Sequence, residues 1–207
     1  MIRMKNNLLA FFCIISVPCF SQSDHLIPVN GIFSSYEYNI EYSVPLRKLL
    51  YKNIDRQFIA RVIVKPSFRP EYLISIEKHK DGVFLIVNTL SEQFWYSKDT
   101  AKTKTYTLKV LVDEQFADSI RETFDHCILN TKYPCDTLNG VDGTTFEFMT
   151  YNFGVGVRAG ETWSPDKNTN MKKLTDLSNM LREACLKHNF KSQRNPILEF
   201  CSSLKGN

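Results

Sequence analysis

Residues 57–65 (QFIARVIVK), 71–79, 83–90 and 105–112 are β-branched or alternating apolar runs, and no helical pattern links one to the next. That constrains the fold most. Parallel neighbours need a crossover of a dozen or more residues, usually a helix, whereas antiparallel neighbours need only a turn. Lys80-Asp81-Gly82 between the second and third runs supplies a tight hairpin. Two more strands are expected at residues 144–151 and 155–163, and a half-buried one at residues 36–42, where Tyr36, Tyr38, Ile40 and Tyr42 alternate with polar residues. After Pro45, Leu46, Leu49 and Leu50 suggest a short helical turn.

Helical periodicity begins at Asp113, a good cap residue. Phe116, Ala117, Ile120, Phe124, Cys127 and Ile128 fall on one stripe behind it. Residues 170–188 form a second helix with Met171, Leu174, Leu177, Leu181, Ala184, Cys185 and His188 on one face. Asn195-Pro196 reads as the start of a terminal helix. The fold class that follows is α+β: a single domain with a mainly antiparallel sheet of about five to seven strands and two long amphipathic helices packed on one face. A closed β-barrel is the alternative, weakened by those helices.

The first 21 residues stand outside this fold. Arg3 and Lys5 precede a 13-residue stretch, Leu8 to Phe20, interrupted only by Ser16 and Pro18. A bilayer span needs about 20 apolar residues, so the run has the proportions of a secretory signal. Cleavage after Ser21 puts Cys19 and Ser21 at the small-residue positions, leaves Gln22 as the N-terminus, and makes residues 22–207 the folded domain. Lipid anchoring is disfavoured, because Cys19 follows Pro18 and Cys13 follows Phe12. The expected location is the periplasm or the exterior, with no membrane span after processing.

Loss of Arg3 and Lys5 leaves 24 Lys and Arg against 22 Asp and Glu, a net charge of +2. That is too dilute for a nucleic-acid footprint, so none is expected as a partner. Four cysteines remain: Cys127, Cys135, Cys185 and Cys201. An even number in an exported chain suggests disulfides, and local proximity favours Cys127–Cys135 and Cys185–Cys201. No metal is expected. His126, Cys127 and Cys135 are close in sequence and His188 follows Cys185 by three residues, but neither Cys-x-x-Cys nor a paired-histidine zinc spacing occurs.

Catalytic motifs are equally scarce. The chain has no Gly-x-Ser-x-Gly elbow, no His-Glu-x-x-His helix and no phosphate-binding loop ending in Lys-Ser or Lys-Thr. Gly154, Gly156 and Gly160 lie between strands, where a dinucleotide loop would open a helix. Ser75–Lys78 matches Ser-x-x-Lys inside a strand, which sends the two side chains to opposite faces. No cofactor is expected. Glu71, Glu77, Glu147 and Glu161 are scattered acids that a fold could assemble.

Phe94, Trp95 and Tyr96, flanked by polar residues, and Trp163 before Ser164-Pro165 are the candidate binding surface. The segments Pro66 to Tyr72 (PSFRPEY), Asp142 to Phe148 (DGTTFEF) and Thr162 to Pro165 (TWSP) resemble short motifs of uncharacterised small exported bacterial proteins. The resemblance implies a compact envelope protein and assigns no functional residue. The expected function is a non-enzymatic periplasmic or secreted binding protein that contacts another protein, of inhibitor or toxin-immunity type. The alternatives are an envelope hydrolase with dispersed catalytic residues and a carbohydrate-binding module that would take a glycan.

Overall fold

The computed structural model describes residues 24–29, 37–97, 99–133 and 142–206. Six strands, β1 (Ala60–Pro66), β2 (Tyr72–His79), β3 (Gly82–Leu90), β4 (Thr105–Val112), β5 (Thr144–Asn152) and β6 (Gly156–Trp163), form one antiparallel sheet in the order β4-β3-β2-β1-β5-β6. Lys80 and Asp81 close the β2–β3 hairpin, and Gly82 takes φ +133°, a conformation that side-chain-bearing residues rarely adopt. Four helices complete the fold: α1 (Glu37–Leu50), α2 (Glu114–Leu129), α3 (Asn170–Leu186) and α4 (Phe190–Lys205). The α+β architecture is the one the strand and helix periodicities specify.

Strand alternation divides the protein into two cores. Val62, Ile74, Leu85 and Phe148 point to one face, where α2, α3 and α4 bury Phe116, Phe124, Leu177, Leu181, Ile197 and Leu204 against them. Asp113 accepts from the Phe116 backbone N–H at 2.9 Å and starts α2; Thr169 accepts from Lys172 at 3.0 Å and starts α3. The intervening residues Ile63, Leu73, Leu90 and Met149 face the other way and pack on Leu46 and Leu50 of α1.

Helix α1 lies where the sequence suggests a strand. Alternation over residues 36–42 is too short to outweigh a longer pattern: Tyr42, Leu46, Leu49 and Leu50 recur at helical spacing and meet the second sheet face. Pro45 removes one backbone donor from this helix. Its C-terminal carbonyls are secured from the sheet. Asn88 donates to Leu50 O (2.7 Å) and Lys52 O (2.9 Å), and Thr105 donates to Leu49 O (2.9 Å).

Helix α4 begins five residues before Asn195, so Pro196 lies inside it. The early start is tertiary. Phe190 stacks edge-on against Phe116 with centroids 4.8 Å apart, and Arg194 donates to Asp113 at 2.6 and 2.9 Å. At the other end of the chain, residues 24–29 join the fold immediately beyond the expected processing point. Ile27 bridges Glu161 on β6, Leu26 is fully buried, and Asp24 accepts from Met171 N at 3.0 Å in the first turn of α3. No helix among the described residues is long and apolar enough to cross a membrane.

Candidate functional site

The scattered acids of the sequence converge on the α1 face, and each is tied into structure. Glu77, fully buried, accepts from Arg61 (2.9 Å), Ser75 (2.6 Å) and the Asp55 backbone N–H (2.9 Å), with His79 Nε2 at 3.1 Å. Arg61, 2% exposed, also donates to Ser75 (3.1 Å) and Asp55 O (2.7 Å), and its guanidinium lies over the Phe58 ring at 4.0 Å. Glu147 takes ion pairs from Arg47 at 2.7 Å and from Lys65, and the sheet register sets it opposite Glu161. Glu71 accepts from Tyr42 OH (2.6 Å) and from the Phe94 backbone N–H (2.8 Å). Glu71, Glu77 and Glu147 are thus each held by two or more donors, as buried polar groups usually are.

Glu71 thereby anchors the aromatic triplet. Phe94–Tyr96 is a single 3₁₀ turn. The turn buries Phe94 while leaving Trp95 43% and Tyr96 64% exposed. The Trp95 ring meets Tyr42 edge-on at 5.3 Å. Trp163 does not join this surface, since β2, β1 and β5 lie between β3 and β6. Trp163 is half-buried, and its ring occupies the space a Cβ on Gly143 would need, 2.5 Å away.

The three quoted segments meet at one end of the sheet. Ser67 donates to Gly143 O (2.8 Å) and accepts from Gly143 N (2.9 Å); Ser164 Oγ accepts from Thr144 N (2.8 Å). Between this corner and α3 opens a cleft of about 720 Å³, lined by Val64, Phe68, Arg69, Tyr72, Asp142, Phe146, Asn179 and Arg182 among others. It lies on the α3 side of the sheet, across from the aromatic turn. The Arg182 guanidinium sits over the Tyr72 ring at 4.5 Å, and Tyr72 OH donates to Asn179 Oδ1 at 3.3 Å. Burial pushes the Tyr72 phenol up, while Arg182 and Arg69 pull it down, so both cations act on the same oxygen. Arg69 belongs to a quoted segment. Nothing in the sequence singles out Arg182, which lies off the apolar stripe of α3.

The structure holds Cys127, Cys185 and Cys201 as buried free thiols. Cys185 and Cys201 are not joined to each other in it, and both pack in the apolar core between helices and sheet. Cys135, the expected partner of Cys127, lies outside the described residues. Burial raises the Cys127 thiol to about 12 and the Cys185 thiol to about 11, far from a reactive thiolate. Among the described residues no three His, Cys, Asp or Glu side chains converge as metal ligands. Ser75 and Lys78 diverge: Ser75 is buried on Glu77, and Lys78 is exposed and pairs with Glu114.

Comparison with protein-family models, with curated proteins and with solved structures finds no match. The geometry alone therefore carries the functional reading.

Proposed function

We propose that this is an exported, non-enzymatic binding protein that acts by contact with another protein, in the manner of an inhibitor or immunity protein. The observation that carries the reading is the turn holding Trp95 and Tyr96, which are 43% and 64% exposed while its backbone is clamped by fully buried Glu71. Exposed aromatics on a rigid base lose little conformational entropy on docking, and Trp and Tyr are enriched among residues that dominate interface energies. The committed carboxylates and the raised thiols support binding over catalysis. Export is supported by the charged start, apolar run and small residues of positions 1–21.

Capture from a periplasmic extract on the immobilised protein tests the reading, with Trp95→Ala/Tyr96→Ala as control. A partner held by the parent and lost by the double variant is the expected result. Failure to capture any protein, together with turnover of a cell-wall or glycan substrate, would overturn it. Retention of glycan alone would transfer Trp95 to the carbohydrate-binding alternative.

A further inference from the structure

We infer that the cleft between the β1–β2 loop, the start of β5 and α3 is a binding site for a small organic anion, with a carboxylate or phosphate group on Arg182 and Arg69 and an apolar body against Phe146 and Phe68. This site is on the other side of the sheet from Trp95 and Tyr96, and it stands or falls without a protein partner.

Charge is the first reason. Arg69 and Arg182 both line the cleft, and neither forms an ion pair with a described residue. Among the described lining residues the only acid is Asp142, so the wall carries two guanidinium charges against one carboxylate. Elsewhere Arg47 pairs with Glu147, Arg61 with Glu77, Arg121 with Asp118 and Arg194 with Asp113, while half-buried Arg158 has no ion pair with a described residue.

Geometry is the second. The Arg182 guanidinium carbon lies over the Tyr72 ring, 4.5 Å from its centroid, a cation–π contact that holds the charge at the cleft wall. The Nε–H is buried and has no hydrogen-bond acceptor among the described residues. The closed-off Nε leaves the terminal N–H groups of Arg182 as the donors a carboxylate or phosphate can reach. Tyr72 OH is already directed to Asn179, which fixes the ring beneath the guanidinium.

Shape is the third. The volume, about 720 Å³, falls in the usual range for small-molecule sites. Phe146 and Val64 give it an apolar floor, and Phe68, 68% exposed, stands at the rim beside Arg69. Pro66 and Pro70 bracket that loop, and Ser67 ties it to Gly143, so the rim is ordered before a ligand arrives.

Calorimetric titration of the full mature protein with 2-naphthoate, 2-naphthyl phosphate and neutral 2-naphthalenemethanol tests the site, with inorganic phosphate as the head group alone. At least one naphthyl anion should bind tenfold or more tighter than both the alcohol and inorganic phosphate. Arg182→Gln should weaken it at least tenfold and Arg69→Gln several-fold. Arg182→Lys, which keeps the charge but loses the flat fork, should fall between parent and Arg182→Gln. Binding of naphthoate alone assigns the carboxylate and binding of naphthyl phosphate alone the phosphate, and either supports the site. Equal binding of anion and alcohol, no binding of any probe, or an Arg182→Gln variant that melts like the parent and binds undiminished would overturn it.

Discussion

Replacing Arg61 by Met asks whether the buried acids of the α1 face hold the fold together. Arg61 is 2% exposed, and its substitution leaves Glu77, fully buried, without its cationic partner. Stranding one member of a buried pair costs about 3–5 kcal/mol. Two effects soften that figure. Ser75 and the Asp55 backbone N–H still donate to Glu77, and Met keeps apolar contact with Phe58. The lower half of the range is therefore expected, about 3 kcal/mol, or a melting temperature lower by about 6–12 °C for a chain of this length. Arg61→Met/Glu77→Gln removes both charges, so its loss should be smaller than the sum of the single losses by about 2 kcal/mol. Urea unfolding followed by circular dichroism measures all three variants. A single-variant cost below about 1 kcal/mol with an unchanged urea slope, or strictly additive losses, would refute the idea that this pair is a structural anchor.

Arg194 holds the Asp113 carboxyl, lowering it to about 2, chiefly through its hydrogen bond. Because the folded value lies below the unfolded one near 4, the contribution is present above about pH 4 and fades as pH falls toward 2. Arg194→Gln should thus lower the urea midpoint slightly at pH 7, since the pair is largely solvent-screened, with midpoints converging on the parent's between pH 4 and 2; a gap independent of pH would contradict this. Cys127, Cys185 and Cys201 should resist iodoacetamide at pH 8 in the native protein and be alkylated once it is denatured without reductant, as read by peptide mapping. If Cys185 and Cys201 stay unmodified after denaturation, they are bonded to each other and α3 and α4 are pinned covalently. Leu26→Ala should destabilise by about 2–5 kcal/mol, since Leu26 is fully buried beside Gly160. Unchanged thermal unfolding would remove the N-terminal segment from the core.

The elements legible in the sequence are those whose signals are local and repeated. Strands β1 to β6 and helices α2 and α3 carry a sustained period, with a turn or cap residue at some boundaries, such as Gly82 and Asp113. The misread boundaries have tertiary causes. Over residues 36–42 the alternation is satisfied by a strand, and only the sheet face formed by Ile63, Leu73 and Met149 selects the helical register of Tyr42, Leu46 and Leu50. Asn195-Pro196 is a sound start signal, but the Phe190–Phe116 contact draws α4 back by more than a turn. Cys185 and Cys201 are placed by the same apolar packing that sequence spacing reads as proximity for a bond.

Sites are harder to read because they are set by which side of the sheet a charge falls on. Net charge near zero says only that cations and anions balance in number. The fold distributes them unevenly. On the α1 face, Arg47 and Arg61 meet Glu147 and Glu77, all four carried there by strand parity and by one turn of α1. On the α3 face, Arg69 and Arg182 meet an aromatic ring and a single rim acid. Arg69 could be found from the sequence, since it lies in the short loop between two clear strands. Arg182 could not, because on an amphipathic helix a residue off the apolar stripe reads as solvated surface. Only the approach of α3 to the Tyr72 ring turns that surface charge into the wall of a cleft. The α1 face thus pairs Arg47 and Arg61 with its own acids, whereas Arg69 and Arg182 on the α3 face form no ion pair with a described residue.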